Sequence, residues 1–214
     1  MQSDIAGLRK DYSQKILSET SILPDPIKQF DQWWQEAIAA RIDEVNAMTL
    51  ATASVDGLPS ARIVLLKGFS ENGFIFFTNY ESYKGKQLAE NPRASLLFFW
   101  KELERQVRMV GIVQKVSEKD SDAYFHSRPV SSQVGAIISP QSNVINSREW
   151  LEDRYVEFQQ KNSPGAIHRP AHWGGYIVKP VSIEFWQGRP SRLHDRIEYT
   201  LQENGGWKIE RLAP

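Results

Sequence analysis

Residues 48–78, MTLATASVDGLPSARIVLLKGFSENGFIFFT, decide the fold. Three runs of small and β-prone residues, Met48–Ser54, Ala61–Phe69 and Phe74–Thr78, are separated by Asp56-Gly57 and by Glu71-Asn72-Gly73. Asp-Gly and Asn-Gly supply the positive φ that tight hairpins require, so the runs read as consecutive antiparallel strands. The same grammar extends along the chain. Ala94–Trp100 and Gln106–Val116 form a further pair. Trp173–Val178, Ser182–Gln187, Leu193–Leu201 and Trp207–Leu212 finish the sheet, with the last hairpin turn at Asn204-Gly205-Gly206. About eight strands joined mainly by short turns predict a mainly β, α+β fold: an antiparallel barrel with flanking helices. Neither βαβ alternation nor a glycine-rich fingerprint is present, which argues against a Rossmann fold.

The helices are set by caps. Asp25 before Pro26 predicts a helix over Pro26–Asp43, with Ile27, Phe30, Trp34, Ile38 and Ile42 near helical spacing. Shorter helices are expected over Tyr83–Asn91, Asp120–Ser127 and Val130–Ile138, and an amphipathic one over Ser147–Lys161 with Ser147 as its N-cap. Residues 1–20 read as a mobile N-terminal arm, and residues 21–214 as a single domain.

Composition narrows the function. With 26 Lys and Arg against 26 Asp and Glu, the chain has no net charge to draw it to nucleic acid or an anionic membrane. Any anion site must come from local clustering. The absence of cysteine excludes disulfides, thiolate metal sites and a cysteine nucleophile. The four histidines show no metal-ligand spacing, so no metal is expected. The longest purely apolar run, Leu96–Trp100, is too short to span a bilayer, and Met1–Tyr12 lacks a secretory apolar core. A soluble cytoplasmic protein is expected.

Several clusters suit an anion. Arg192, His194 and Arg196 would share one face of a strand, where their repulsion is relieved by a phosphate between them. Arg62 and Lys67 end the apolar run Ile63-Val64-Leu65-Leu66. Either they snorkel to water, or they serve anions on opposite faces. Ser82-Tyr83-Lys84 opens a helix, whose free N–H groups suit phosphate or a simple cap. Gln106 shares a strand face with Arg108; taken alone it reads as a satisfied polar residue at a sheet edge, yet its amide both donates and accepts, as a flavin or pyrimidine edge requires. Tyr124, Arg128 and Ser132 are four apart across the break at Pro129, and read either as a helix-end cluster of phenol, guanidinium and hydroxyl or as a surface helix with an ordinary arginine. Gln141-Ser142 and Trp186 are weaker signals, ordinary for a turn and a core strand.

In order along the chain stand Arg62-Ile63-Val64-Leu65-Leu66-Lys67, Phe77-Thr78-Asn79, Asn91-Pro92-Arg93, Leu103-Glu104-Arg105-Gln106-Val107, Tyr124-Phe125-His126-Ser127-Arg128-Pro129, Gln133-Val134-Gly135-Ala136, Gln141-Ser142, Phe185-Trp186-Gln187-Gly188, Arg192-Leu193-His194-Asp195-Arg196 and Arg211-Leu212-Ala213-Pro214. Together these segments closely resemble the FMN-dependent pyridoxamine 5′-phosphate oxidase family. The resemblance implies an FMN-binding split β-barrel homodimer with the flavin at the subunit interface. It implies FMN phosphate or ribityl contacts from Arg62, Lys84 and Arg196. Further flavin contacts would come from Phe77, Thr78, Gln106, Gln141, Ser142 and Trp186, with Ile63, Val64, Leu65, Lys67 and Tyr83 beside them. Lys67, Tyr124, Arg128 and Ser132 would clamp the substrate phosphate. Arg192 and His194 would stand at the reacting carbon, and Arg9 and Tyr12 would form a lid.

The reaction implied is oxidation of pyridoxamine or pyridoxine 5′-phosphate to pyridoxal 5′-phosphate in vitamin B6 metabolism. Molecular oxygen is the acceptor, hydrogen peroxide a product, and the amine substrate also releases ammonia. Where the family usually reads Ser-Arg-Lys, this chain has Ser82-Tyr83-Lys84. That removes a charge-assisted hydrogen bond worth ~1.5–3 kcal/mol, which the Tyr83 hydroxyl recovers in part. Two rival readings are a flavin reductase of the same fold, which needs no substrate-phosphate clamp, and a non-catalytic carrier of pyridoxal 5′-phosphate.

Overall fold

The computed structural model describes residues 11–162 and 167–214. Among these are nine strands in one sheet and five α-helices. The strands are β1 (Ala47–Ala53), β2 (Pro59–Leu65), β3 (Gly68–Ser70), β4 (Gly73–Asn79), β5 (Arg93–Trp100), β6 (Arg105–Lys115), β7 (Trp173–Gln187), β8 (Asp195–Leu201) and β9 (Trp207–Arg211). The helices are α1 (Pro26–Ala39), α2 (Tyr83–Glu90), α3 (Glu118–Ser127), α4 (Val130–Ile138) and α5 (Arg148–Lys161). Strand order is β2-β1-β5-β6-β7-β4-β3, with β8 beside β7 and β9 beside β8. The pairs β3–β4, β4–β7, β7–β8 and β8–β9 are antiparallel, as the hairpin signals require. This is the fold class read from the sequence.

The chain forms two compact units. One gathers the segment up to Thr49 with Ser95–Val110 and Pro180–Pro214; the other holds Leu50–Ala94 and Gly111–Lys179.

In the first unit the Asp25 carboxylate accepts from the N–H groups of Ile27 (2.8 Å) and Lys28 (3.2 Å), so α1 starts where its cap predicts. It stops at Ala39, short of Asp43, because Arg41 (φ 54°) and Glu44 (φ 45°) turn left-handed. The inward face also differs from expectation. Phe30, Trp33 and Ala37 are buried, whereas Ile38 is 47% exposed and Trp34 half-buried. Aromatic packing sets that rotation: Phe30 meets Phe98 at 5.2 Å, and Trp33 meets Phe185 edge-on at 5.2 Å. Here too, β8 begins only at Asp195, two residues later than expected. Pro190–Arg192 forms a 3₁₀ turn with Ser191 and Arg192 at positive φ, so Arg192 and His194 do not share a strand face with Arg196.

In the second unit the expected strand Ala61–Phe69 is two strands, with Leu66-Lys67 as the break. Alternation therefore does not carry from Arg62 to Lys67. Burial along the run is uneven: Arg62 and Val64 are half-buried, Ile63 is 65% exposed and only Leu66 is buried. The buried cluster of Phe125, Val134, Ile138, Ile167 and Trp173 packs α3 and α4 together, and half-buried Leu151, Tyr155 and Phe158 lay α5 against it. That stripe at i, i+4, i+7 is the amphipathic face expected of the helix.

Where two strands were expected, β7 runs unbroken for 15 residues through Pro180. Its first part pairs with β4 as far as Val178, and its last part pairs with β8 from Ser182. Pro180 falls in the gap between these partners, where a missing N–H is tolerated.

Close backbone approach explains one glycine in β6. A Cβ on Gly111 would lie 2.4 Å from the Lys179 carbonyl oxygen, whereas one on Gly68 meets nothing within 4 Å. Gly111→Ala is expected to destabilise the fold by about 1–3 kcal/mol. Gly68→Ala is expected to stay within about 0.5 kcal/mol of the parent. Urea midpoints of the two variants measure the contrast, and equal midpoints would contradict it.

Candidate active-site residues

In the second unit, β2 carries Arg62 into a polar frame. Its Nη1 donates to Thr52 Oγ1 (2.6 Å) and the Leu50 carbonyl (3.1 Å), and its Nη2 donates to Ser60 Oγ (2.6 Å). The hydroxyls of Thr52 and Ser60 in turn donate to Gln87 Oε1 at 2.6 and 2.7 Å. The guanidinium is thus aimed by fixed groups and has no carboxylate partner among the described ion pairs.

Lys84 lies in the first turn of α2, whose N-cap Ser82 accepts from the Gly85 N–H. Its Nζ donates to Thr78 Oγ1 (3.3 Å) and Gln141 Oε1 (3.1 Å), and Thr78 Oγ1 donates to the same Gln141 oxygen at 3.1 Å. Burial, then the Arg62 charge, lowers the Lys84 pKa; burial lowers that of Arg62. Two cations that each lose solvation and repel one another gain stability from an anion placed between them. Exposed Tyr83 interacts electrostatically with Arg62.

The Tyr124–Arg128–Ser132 group is also assembled. Arg128 caps the end of α3, donates from Nη2 to the Ser132 carbonyl (2.9 Å) and lies 4.6 Å over the Trp173 ring. Its Nη1 is buried without a hydrogen-bond partner among the described residues. A pocket of about 310 Å³ is lined by Asn79, Arg128, Ser132, Gly135, Ala136, Ser139, Gln141 and Trp173. A buried guanidinium nitrogen left open beside a polar pocket calls for an acceptor. The Tyr124 ring stacks on Phe77 at 3.9 Å, so the Phe77 side chain is a packing group here. Gln141 both accepts from Lys84 and lines the Arg128 pocket, which links the two cationic groups. Ile63, Leu65, Lys67 and Ser142 are exposed, and Ser142 has φ 71°.

The first unit holds a second constellation. Tyr12, Trp186 and His194 form a ring cluster, with centroids 5.8 Å (Tyr12–Trp186), 6.0 Å (Tyr12–His194) and 4.6 Å (Trp186–His194) apart. The Arg189 N–H donates to His194 Nδ1 at 3.1 Å, which leaves the proton of the neutral ring on Nε2. Burial, then the Arg192 charge, lowers the His194 pKa, against a smaller opposing effect of Asp195. Arg192 is exposed, and Gln106 is half-buried on the same face of β6 as Arg108. Arg9 lies outside the described residues.

The sequence reading missed Glu184. Its buried carboxylate accepts from Arg196 Nε (2.8 Å) and Nη2 (3.2 Å) and is also paired with Arg108. Its hydrogen bond to Arg196 raises the arginine pKa. The anion demanded by this cationic strand is thus met by the chain itself. The lone acid in the apolar run Ile183-Glu184-Phe185 was the available signal.

Residues 34–162 match the family model "Pyridoxamine 5'-phosphate oxidase", and residues 173–214 match "Pyridoxine 5'-phosphate oxidase C-terminal dimerisation region". The chain belongs to the pyridoxamine 5′-phosphate oxidase family. It is an enzyme of that class. Pyridoxine/pyridoxamine 5'-phosphate oxidase of Nostoc sp. (strain PCC 7120) is 58% identical over 214 residues, covering 100% of both chains. The enzyme of the same name from Cupriavidus necator is 56% identical, covering 99% of this chain and 100% of that one. Among solved structures, PhzG from Burkholderia lata 383, in complex with tetrahydrophenazine-1-carboxylic acid, superposes with a TM-score of 0.88 at 31% identity. That match covers 94% of this chain and 100% of PhzG. Among the described residues of this oxidase-family chain, no helix is long and apolar enough to cross a membrane.

His194 is expected to titrate below its ordinary value of 6.5, in the direction set by burial and Arg192. Between the folded and unfolded midpoints the unfolded chain then binds more protons. The His194 contribution to stability therefore falls as pH drops through that window. Ring-proton NMR of the folded protein measures the midpoint; a value at or above 6.5 would contradict the assigned surroundings.

Proposed function

We propose that this chain is an FMN-dependent oxidase converting pyridoxamine and pyridoxine 5′-phosphates to pyridoxal 5′-phosphate. Each turnover passes two electrons and two protons to O2, giving H2O2. The amine route also consumes water and releases ammonia. The observation that supports this most is the presence of two cationic receptors in one neutral chain: Arg62 with Lys84, and Arg128 with its open Nη1. FMN and the substrate each bring one phosphate.

The donor set fits the flavin. Arg62 and Lys84 would hold its phosphate, with Thr78, Gln141 and Ser142 nearby; Gln106 and Trp186 would serve as further flavin contacts, whereas Arg196 is already engaged by Glu184. When bound, FMN supplies the acceptor for the electrons leaving the C4′ carbon. Arg128, Ser132, Tyr124 and Lys67 hold the substrate phosphate, which makes the transfer effectively unimolecular. His194 presents Nε2–H, a donor, because Nδ1 already accepts from the Arg189 N–H. That favours stabilisation of developing negative charge, shared with Arg192, over proton removal by His194.

A homodimer with FMN at the interface accords with the family's dimerisation region over residues 173–214. Apolar side chains left open, Ile63 at 65% and Phe99 at 52% exposure, suit burial by a second copy. The lack of cysteine suits a reducing cytoplasm.

The test is to mix purified yellow protein with pyridoxamine 5′-phosphate without oxygen. Bleaching is expected, followed on aeration by one peroxide per aldehyde. A colourless protein, or no bleaching, would overturn the proposal. Arg128→Ala is expected to raise KM for the phosphorylated substrate roughly tenfold or more, the loss of a charge-assisted hydrogen bond, with FMN content unchanged. Arg62→Ala is expected to lower FMN content instead. Substrate saturation curves and flavin absorbance measure the two effects.

A further inference from the structure

We propose that Glu104 is a positioning residue, whose carboxylate fastens the N-terminal segment so that Tyr12 lies over Trp186 and His194. This rests on the oxidase reading above, in which those two residues serve the reaction.

Glu104 is buried at 3% exposure in the bend between β5 and β6, and adopts a left-handed conformation (φ 53°, ψ 41°). Such backbone is uncommon for a residue that is neither glycine nor asparagine, and recurs where a function holds it. One carboxylate oxygen, Oε2, accepts from two successive backbone N–H groups, those of Ser13 (2.8 Å) and Gln14 (3.2 Å). The residue directly before them is Tyr12. The Glu104 carbonyl also accepts from the Gly188 N–H at 2.7 Å. One residue therefore grips both the segment carrying Tyr12 and the chain just beyond Trp186.

Gly188 is the other half of the device. A Cβ there would lie 2.7 Å from Tyr12 Cγ, so the ring occupies space that only glycine leaves open. Downstream the segment is strapped by other side chains. Asp195 accepts from the Leu17 N–H (3.1 Å), Arg211 donates to the Leu17 carbonyl (3.1 Å), and Arg189 donates to the Lys15 carbonyl (3.2 Å). Among these described grips, that of Glu104 lies nearest Tyr12 along the chain.

Three variants test this: Glu104→Ala, Glu104→Gln, which keeps a carbonyl acceptor, and Gly188→Ala, which displaces the ring with the carboxylate intact. Flavin content, trypsin cleavage after Lys15 and steady-state kinetics with pyridoxamine 5′-phosphate are measured on the full-length holoenzyme. Glu104→Ala is expected to speed Lys15 cleavage and raise KM, each roughly tenfold, the ratio a charge-assisted hydrogen bond carries, with flavin content unchanged. Glu104→Gln is expected to restore much of both. Gly188→Ala is expected to raise KM similarly with little change in cleavage. Parental cleavage and KM in Glu104→Ala would overturn the proposal. Faster cleavage with an unchanged KM in both alanine variants would overturn the positioning role. Should the parent protein itself oxidise no substrate, the oxidase reading falls, and the cleavage rates alone still decide whether Glu104 holds the segment.

Discussion

Half-buried positive charge in a chain without net charge is the constraint on which the site depends. A guanidinium or ammonium withdrawn from water needs a compensating anion, and the structure meets that need in two ways. Arg105 is paired with Glu36, and Arg196 and Arg108 with buried Glu184; these are internal solutions that stabilise the fold. Among the described residues, Arg62 and Lys84 have hydroxyl and carbonyl partners but no carboxylate, and Arg128 keeps one buried nitrogen open. That division separates cations already paired with a carboxylate from those without one among the described residues. Uniform positive charge would have blurred it.

The scaffold that aims these cations is built from short hairpins and one long strand. The polar frame around Arg62 comes from Leu50, Thr52 and Ser60 on the β1–β2 hairpin, and from Gln87 on α2. Acceptors held by neighbouring hairpin strands leave the guanidinium little freedom to lose. The 15-residue β7 changes partner from β4 to β8 near Pro180, and carries Trp173 near one end and Glu184 and Trp186 near the other.

Much of this was legible in the chain. Caps at Asp25, Ser82 and Ser147, and turns at Asp56-Gly57 and Asn204-Gly205-Gly206, placed element boundaries within a few residues, because each is a local hydrogen-bond or φ requirement. Arg62, Lys84, Arg128 and Ser132 were also visible as chemistry at suggestive positions. Less local features were misread. The inward face of α1 turned to Trp33 because Phe185, distant in sequence, offers an aromatic edge there. The break at Leu66-Lys67 and the left-handed Arg192 follow from no strong local signal.

The sequence alone determined that the chain makes an antiparallel sheet and carries no net charge, which follow from spacing and residue type, and its ordered segments carried the resemblance to the family. Only the tertiary structure decided which cations are already neutralised, that Glu184 satisfies Arg196 while Arg128 stays open, and that Glu104 reaches back to the segment beside Tyr12. Partners for a buried charge are chosen by proximity in space across tens of residues, and spacing along a chain does not encode that distance.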